Sequence, residues 1–254
     1  MDHLKLFYSI VFLVYGCCIG SFLNGCIWRI PRDISVVRGR SACIRCGHVL
    51  GAMDMIPVLS WVALRGRCHY CRQSLPKQYP MVELGCGLMY LLCFHALGLN
   101  IQAVLACLLG SVLLLAAVID VKWLYVPDRV PLIILLLSNV SLYASRLPLL
   151  GNRLAAAGFV GGFMLFLAVL TDGGIGGGDI KLMTAGCLYL GFSRGVAAFF
   201  FSYVLAALWY IVPMLRGKLD RKDCIPMAPF FAVSIMVFTL WGKQMIDWYL
   251  KLLR

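Results

Sequence analysis

The chain has 254 residues, 62% of them hydrophobic and 13% charged, with a mean hydropathy of +0.89 and a formal net charge of +12. This composition excludes a disordered chain, argues against a water-soluble domain and points to an all-α polytopic membrane protein. The basic residues cluster in loops between apolar runs, so they read as topology determinants and anionic-lipid contacts, not as a nucleic-acid surface.

The first apolar run, Leu6 to Ile27, ends in Trp28-Arg29, an aromatic interfacial anchor followed by positive charge. It is polar at Ser21 and Asn24 and lacks a small-residue cleavage pattern, so it reads as a first span rather than a cleaved signal peptide. Residues 29–78 hold nine of the twenty-three Lys and Arg, which predicts a cytoplasmic loop and an N-terminus outside. Further spans are predicted near 80–98, 101–119, 130–147, 153–170, 180–192, 195–214 and 226–248, giving about eight transmembrane helices. The segment 180–192 is short and contains Gly186, so a broken or partly inserted helix is expected there. With this topology the inside loops, including a charged one at 216–222, carry sixteen Lys and Arg and the outside segments seven. The expected organisation is a first transmembrane helix at 1–28, a cytoplasmic module at 29–78 and a helical membrane domain at 79–254.

The loop contains Cys43-Ile-Arg-Cys46 and Cys68-His-Tyr-Cys71, with twenty-one residues between the two C-x-x-C knuckles. Four thiolates in this pattern suit one tetrahedral Zn²⁺ and fill its coordination sphere, so the metal would be structural. A reducing cytoplasm disfavours disulfides; a redox pair or unligated thiols are the alternatives. His48 and His69 are then not ligands. A loop with so little core needs the folding energy that a metal supplies.

The membrane-proximal acids Glu83, Asp120, Asp128, Asp172 and Asp179 all fall at predicted cytoplasmic helix ends. Asp179 closes the glycine-rich break Gly173-Gly-Ile-Gly-Gly-Gly-Asp179-Ile-Lys181, and Asp120 closes the apolar run before it. Irregular backbone at membrane depth survives only inside protein or beside a wet cavity, and an acid there marks function. If Asp120 and Asp179 meet, two like charges cannot both ionise comfortably, and the pair holds one proton between a base and an acid. That arrangement suits water activation for amide hydrolysis. Capping accounts equally well for Asp128, and a hinge for the glycines. A proton-coupled transporter also places acids beside broken helices, but near the midplane rather than at one face.

In order along the chain, Gly20-Ser-Phe-Leu-Asn24, the two knuckles, Asp54-Met-Ile-Pro57, Tyr79-Pro80-Met-Val-Glu83, Asp120, Val126-Pro127-Asp128 and Gly176-Gly-Gly178-Asp179-Ile-Lys181 resemble the type IV prepilin peptidases. These are bacterial membrane aspartic proteases of the glycine-x-glycine-aspartate class. The resemblance implies removal of the basic leader from prepilins and pseudopilins at the cytoplasmic face of the inner membrane. It implies Asp120 and Asp179 as the catalytic pair, their roles interchangeable, with Gly176, Gly178 and Lys181 in the active-site loop. It also implies S-adenosylmethionine-dependent N-methylation of the new N-terminus. Glu83 and Asp128 match the family as substrate or structural contacts. The basic leader calls for acids on a basic face, and Asp33, Asp54, Glu83 and Asp172 are the candidates.

Overall fold

The computed structural model describes residues 2–144, 150–217 and 224–252. The charged loop predicted at 216–222 and the end of the span predicted at 130–147 lie largely outside the described residues. Among the described residues the regular structure is helical, apart from two isolated bridge pairs, Ala42 with Val49 and Arg67 with Ser74. The chain forms two compact units, Met1–Leu99 and Asn100–Arg254.

In the first unit a long helix α1 (Asp2–Arg29) packs along α3 (Gln78–Leu97). The sequence Gly16-Cys-Cys-Ile-Gly20 brings them together. A Cβ on Gly16 would stand 2.7 Å from the Cα of Gly87, and one on Gly20 2.6 Å from the Cα of Glu83. Bare helix surface of this kind lets two backbones meet where lipid offers no hydrophobic drive to association. Between these helices lie short 3-10 turns at Ile30–Arg32 and Met53–Met55, a five-residue α2 (Leu59–Ala63), and the cysteine knuckles.

The second unit holds α4 (Ile101–Trp123), α5 (Arg129–Ala144), α6 (Leu150–Leu170), α7 (Gly177–Leu190), α8 (Phe192–Leu215), α9 (Ala228–Leu240) and α10 (Gly242–Leu252). The Asn100 side chain caps α4 by accepting from the Ala103 N–H at 2.8 Å. The apolar length of α4 is mostly buried, against α5 and α9, and α7 is enclosed by α5, α6, α8 and α9.

Among the described residues five helices are long and apolar enough to cross a membrane: His3–Arg32 with its 3-10 extension, α3, α4, α6 and α8. The bent pair α9 and α10 makes up to six. The expectation of eight crossings is therefore not matched by length. Helix α5 has 16 residues and α7 14, against roughly 20 for a crossing. The span predicted at 226–248 is two helices meeting at 79°. Helix α7 is unbroken through Gly186. The missing side chain there admits Ile235 of α9 instead of interrupting the helix.

Candidate active site

Asp120 lies in the last turn of α4 and is 4% exposed. One of its oxygens, Oδ2, accepts the main-chain N–H of Ala228 at 2.9 Å, where α9 begins. The Met227 N–H also donates to it. A helix N-terminus is the ready place to hold an anionic side chain, because its first N–H groups lack partners within the helix.

Asp179 occupies the first turn of α7, immediately after the glycines. Its Oδ1 is buried and has no hydrogen-bond partner. The charge of Asp120 is felt at Asp179, so the two acids named from the sequence share one electrostatic site. Tyr203 of α8 is within electrostatic reach of Asp179, and Tyr210, two turns along, within reach of Asp120. One of these acids is thus tied by backbone donors while the other keeps an idle oxygen.

The glycine run works through two positions. Gly173 takes φ +88°, the turn that ends α6. Gly178 lies against the main chain of Val126, where a Cβ would stand 3.1 Å from the valine Cβ and 3.4 Å from its N and O. Gly176 precedes the helix with φ −64°, so it needs no special backbone freedom, and its Cα faces the Asp179 carboxylate. Asp128 stands just before α5, and its Oδ1 accepts from Lys181 Nζ at 2.6 Å. Both side chains are exposed. The pair ties the Val126-Pro127-Asp128 segment to the first turns of α7 and does not reach the buried acids.

In the first unit, the Sγ atoms of Cys43, Cys46, Cys68 and Cys71 all lie within 4.8 Å of one another. Tetrahedral zinc with Zn–S bonds of 2.3 Å places its sulfurs roughly 3.8 Å apart, so the donor set and its spacing fit a structural Zn²⁺. The two knuckles have the same hydrogen-bond frame. Cys43 N–H donates to His48 O, Gly47 N–H to Cys43 O and Leu50 N–H to Ser41 O; Cys68 to Gln73, Arg72 to Cys68 and Leu75 to Gly66 repeat it. The fifth position is left-handed in both, Gly47 at φ +73° and Arg72 at φ +57°. Burial opposes ionisation of Cys43, but main-chain N–H donation from Cys46 and Arg45, with its neighbouring thiols, brings its pKa down to about 7. No histidine belongs to the cluster among the described residues.

Glu83 is buried in α3, and its Oε2 accepts the N–H of Val58 at 2.7 Å. Ser21 and Asn24 also hydrogen-bond it. Val58 is a β-branched residue at φ +61°, a costly conformation that persists because its surroundings fix it. Asp54 accepts from Gly51 N–H at 3.0 Å and Tyr70 Oη at 3.2 Å and meets His69 Nδ1 at 3.2 Å. The Gly51 bond, outweighing burial, and then His69 and Tyr70 hold its carboxyl below the usual range. Both acids are engaged within the unit, whereas Asp33 and Asp172 are exposed.

Two family models match the chain: the bacterial peptidase A24 N-terminal domain over residues 14–97 and the type IV leader peptidase family over residues 107–211. The chain is 32% identical over 249 residues to the prepilin leader peptidase/N-methyltransferase of Bacillus subtilis strain 168, covering 96% of this chain and 98% of that protein. The chain belongs to the type IV leader peptidase family. The like-named protein of Stutzerimonas stutzeri is 31% identical over 95% of this chain and 93% of its own. That of Myxococcus xanthus reaches 44% over 120 residues, which is 47% of this chain and 36% of the relative. No solved structure matches the chain. The N–H donors at Met227 and Ala228, and Tyr203 and Tyr210, carry no motif, because their roles arise only when distant helices meet.

Proposed function

We propose that this chain is a membrane aspartic endopeptidase that removes basic leaders from prepilins and pseudopilins, with Asp120 and Asp179 as its catalytic pair. The observation that carries this reading is the buried, partnerless oxygen of Asp179 within electrostatic reach of Asp120. One carboxylate takes a proton from water as its oxygen attacks the scissile carbonyl carbon. The other, protonated, hydrogen-bonds the carbonyl oxygen that gains charge. Collapse of the tetrahedral adduct breaks the C–N bond, and the leaving nitrogen receives a proton. Gly178 sets the approach of Asp179's helix to Val126, Gly176 faces the carboxylate, and Lys181 with Asp128 braces the loop.

The second activity is N-methylation of the trimmed N-terminus, supported by the names of relatives that align over nearly the full chain. S-adenosylmethionine supplies an electrophilic methyl group on a sulfonium centre. Zn²⁺ on Cys43, Cys46, Cys68 and Cys71 holds the first unit's loop in shape. The chain lies in the bacterial inner membrane, N-terminus outside, with the aspartates and cysteines on the cytoplasmic side. The excess of Lys and Arg in those loops supports this orientation. With the shorter helices α5 and α7 and the bent pair α9–α10, the count of membrane helices comes to about eight, and segments 1–28, 29–78 and 79–254 serve as first span, zinc module and peptidase region.

The test is cleavage of a prepilin substrate by purified wild type, Asp120→Asn and Asp179→Asn. Loss of cleavage in each, with zinc content and folding retained, is expected. Cutting by both variants sinks the assignment.

A further inference from the structure

Arg153, in the first turn of α6, is the largest fully buried side chain among the described residues, 1% exposed. Its guanidinium meets only neutral groups. Nη1 donates to the Ser138 main-chain O at 2.8 Å and to the Ser138 hydroxyl at 3.3 Å, and Nη2 to the Ser141 hydroxyl at 3.1 Å. Nε is buried without a partner. Arg194, in the first turn of α8, is half-buried and has neither hydrogen bond nor ion pair among the described residues. Asn152 Oδ1 accepts the Phe192 N–H at 2.8 Å, which fixes the start of α6 beside the start of α8, and the charge of Arg194 is felt at Arg153. The other group felt by both is the Tyr189 phenol, neutral near pH 7. Two cations therefore share an apolar setting without a carboxylate beside them among the described residues. Charges taken out of water are normally paired, because neutral hydrogen bonds do not make up the lost hydration. Helix ends do not balance them: the end of α7 contributes roughly half a negative charge, and the starts of α6 and α8 roughly half a positive charge each.

The pair sits at the end of the unit away from Asp120 and Asp179. Helix α7 runs toward it from Asp179, and α9 from the Ala228 contact with Asp120. There the chain turns by 79° between α9 and α10, and a Cβ on Gly242 would stand 3.0 Å from Arg194 Cδ, so the arginine stem crosses bare backbone at the bend. Helical spacing divides α10 by face: Lys243, Gln244, Asp247 and Lys251 fall on one side, Met245, Trp248, Tyr249 and Leu252 on the other. Trp248 and Tyr249 are exposed. A short two-faced helix turned off an apolar bundle suits the headgroup layer, with its aromatic rings at the acyl boundary.

We propose that Arg194, backed by Arg153 beneath the α9–α10 bend, binds the phosphate of an anionic phospholipid in the leaflet away from the aspartates, with α10 lying along that leaflet. A guanidinium meets phosphate through two parallel N–H donors. The lipid supplies the negative charge that the chain does not, and two cations favour a net-negative headgroup over a zwitterionic one. Free phosphate would suit the same donors; the two-faced α10 at the root of the site favours the lipid.

The test is native mass spectrometry and thermal melting of the full, delipidated chain titrated with phosphatidylglycerol, phosphatidylethanolamine or inorganic phosphate. Phosphatidylglycerol is expected to bind and to raise the melting temperature. Arg194→Gln should weaken that binding by about 10- to 100-fold, the effect of losing charged hydrogen bonds. Arg194→Lys keeps the charge and should weaken it less. Arg216→Gln removes a charge at the other end of α8 and should leave the affinity unchanged. Without lipid, Arg194→Gln should melt no lower than wild type, because it takes a like charge away from Arg153. Equal losses in Arg194→Gln and Arg216→Gln reduce the binding to general surface charge and overturn the site. A lipid-free melt lowered by Arg194→Gln also overturns it, since the arginine would then be satisfied within the chain. Phosphatidylethanolamine bound as tightly as phosphatidylglycerol removes the anionic headgroup. Inorganic phosphate that displaces the lipid from wild type makes this a free-anion site instead.

Discussion

The two units bury acids in different ways. Glu83 in the first is surrounded by donors, from the Val58 main chain and from Ser21 and Asn24. Asp179 in the second keeps one oxygen without a partner. A buried polar group normally has its partners. A satisfied carboxylate holds a conformation, here the strained backbone of Val58, while an idle one is kept for a molecule that comes and goes. Asp120, the other acid of the proposed pair, accepts two main-chain N–H groups, so it is the idle oxygen of Asp179 that sets the pair apart from Glu83.

The largest effect should come from removing the framework of the first unit. Chelation, or Cys68→Ser, is expected to release the metal and open residues 30–77 to proteolysis. Zinc sites of this kind contribute on the order of 10 kcal/mol of apparent folding energy. Bound metal, measured by atomic absorption, should also fall on acidification, because protons compete with the ion for the thiolates. Metal content indifferent to Cys68→Ser would remove the site.

Next, the same chemical change should read out oppositely in the two regions. Asp179→Asn should lower leader cleavage by about 10²- to 10⁴-fold, the range for general acid–base groups, without loss of thermal stability. Glu83→Gln keeps an oxygen for Val58 and should preserve protection of the loop. Glu83→Leu strands that N–H and should destabilise the first unit by about 1–3 kcal/mol. Equal loss of stability in Asp179→Asn and Glu83→Leu would erase the distinction between the two acids.

A smaller loss is expected for Gly178→Val, which must push Val126 away and shift Asp179. Displacements near 1 Å cost up to about 10²-fold in rate, so cleavage should fall with Asp120 and Asp179 both present. The smallest effect belongs to the knuckles. Arg72→Gly places glycine where its counterpart Gly47 already is, relieving a left-handed residue, and should stabilise by up to about 1 kcal/mol in thermal melts.

Candidate site residues stood out in the sequence more sharply than the architecture did. Asp120, Asp179 and the four cysteines stand out because an acid or a paired thiol in an apolar chain costs too much to be casual. The helices were legible too, as apolar runs. Hydropathy is blind to direction, so 226–248 reads as one span although the chain turns by 79° between Leu240 and Gly242. Gly186 reads as a breaker because composition does not reveal that Ile235 needs its space. Glu83 was open between substrate and structure, since its partner Val58 lies twenty-five residues away in a segment without regular structure.

The repeated frame of the two knuckles bears on how the metal gets in. Each knuckle closes its own short circuit of main-chain bonds around two sulfurs. An ion bound there would be held by two half-shells of like geometry, so exchange could pass through a state in which one half-shell has let go while the other keeps hold.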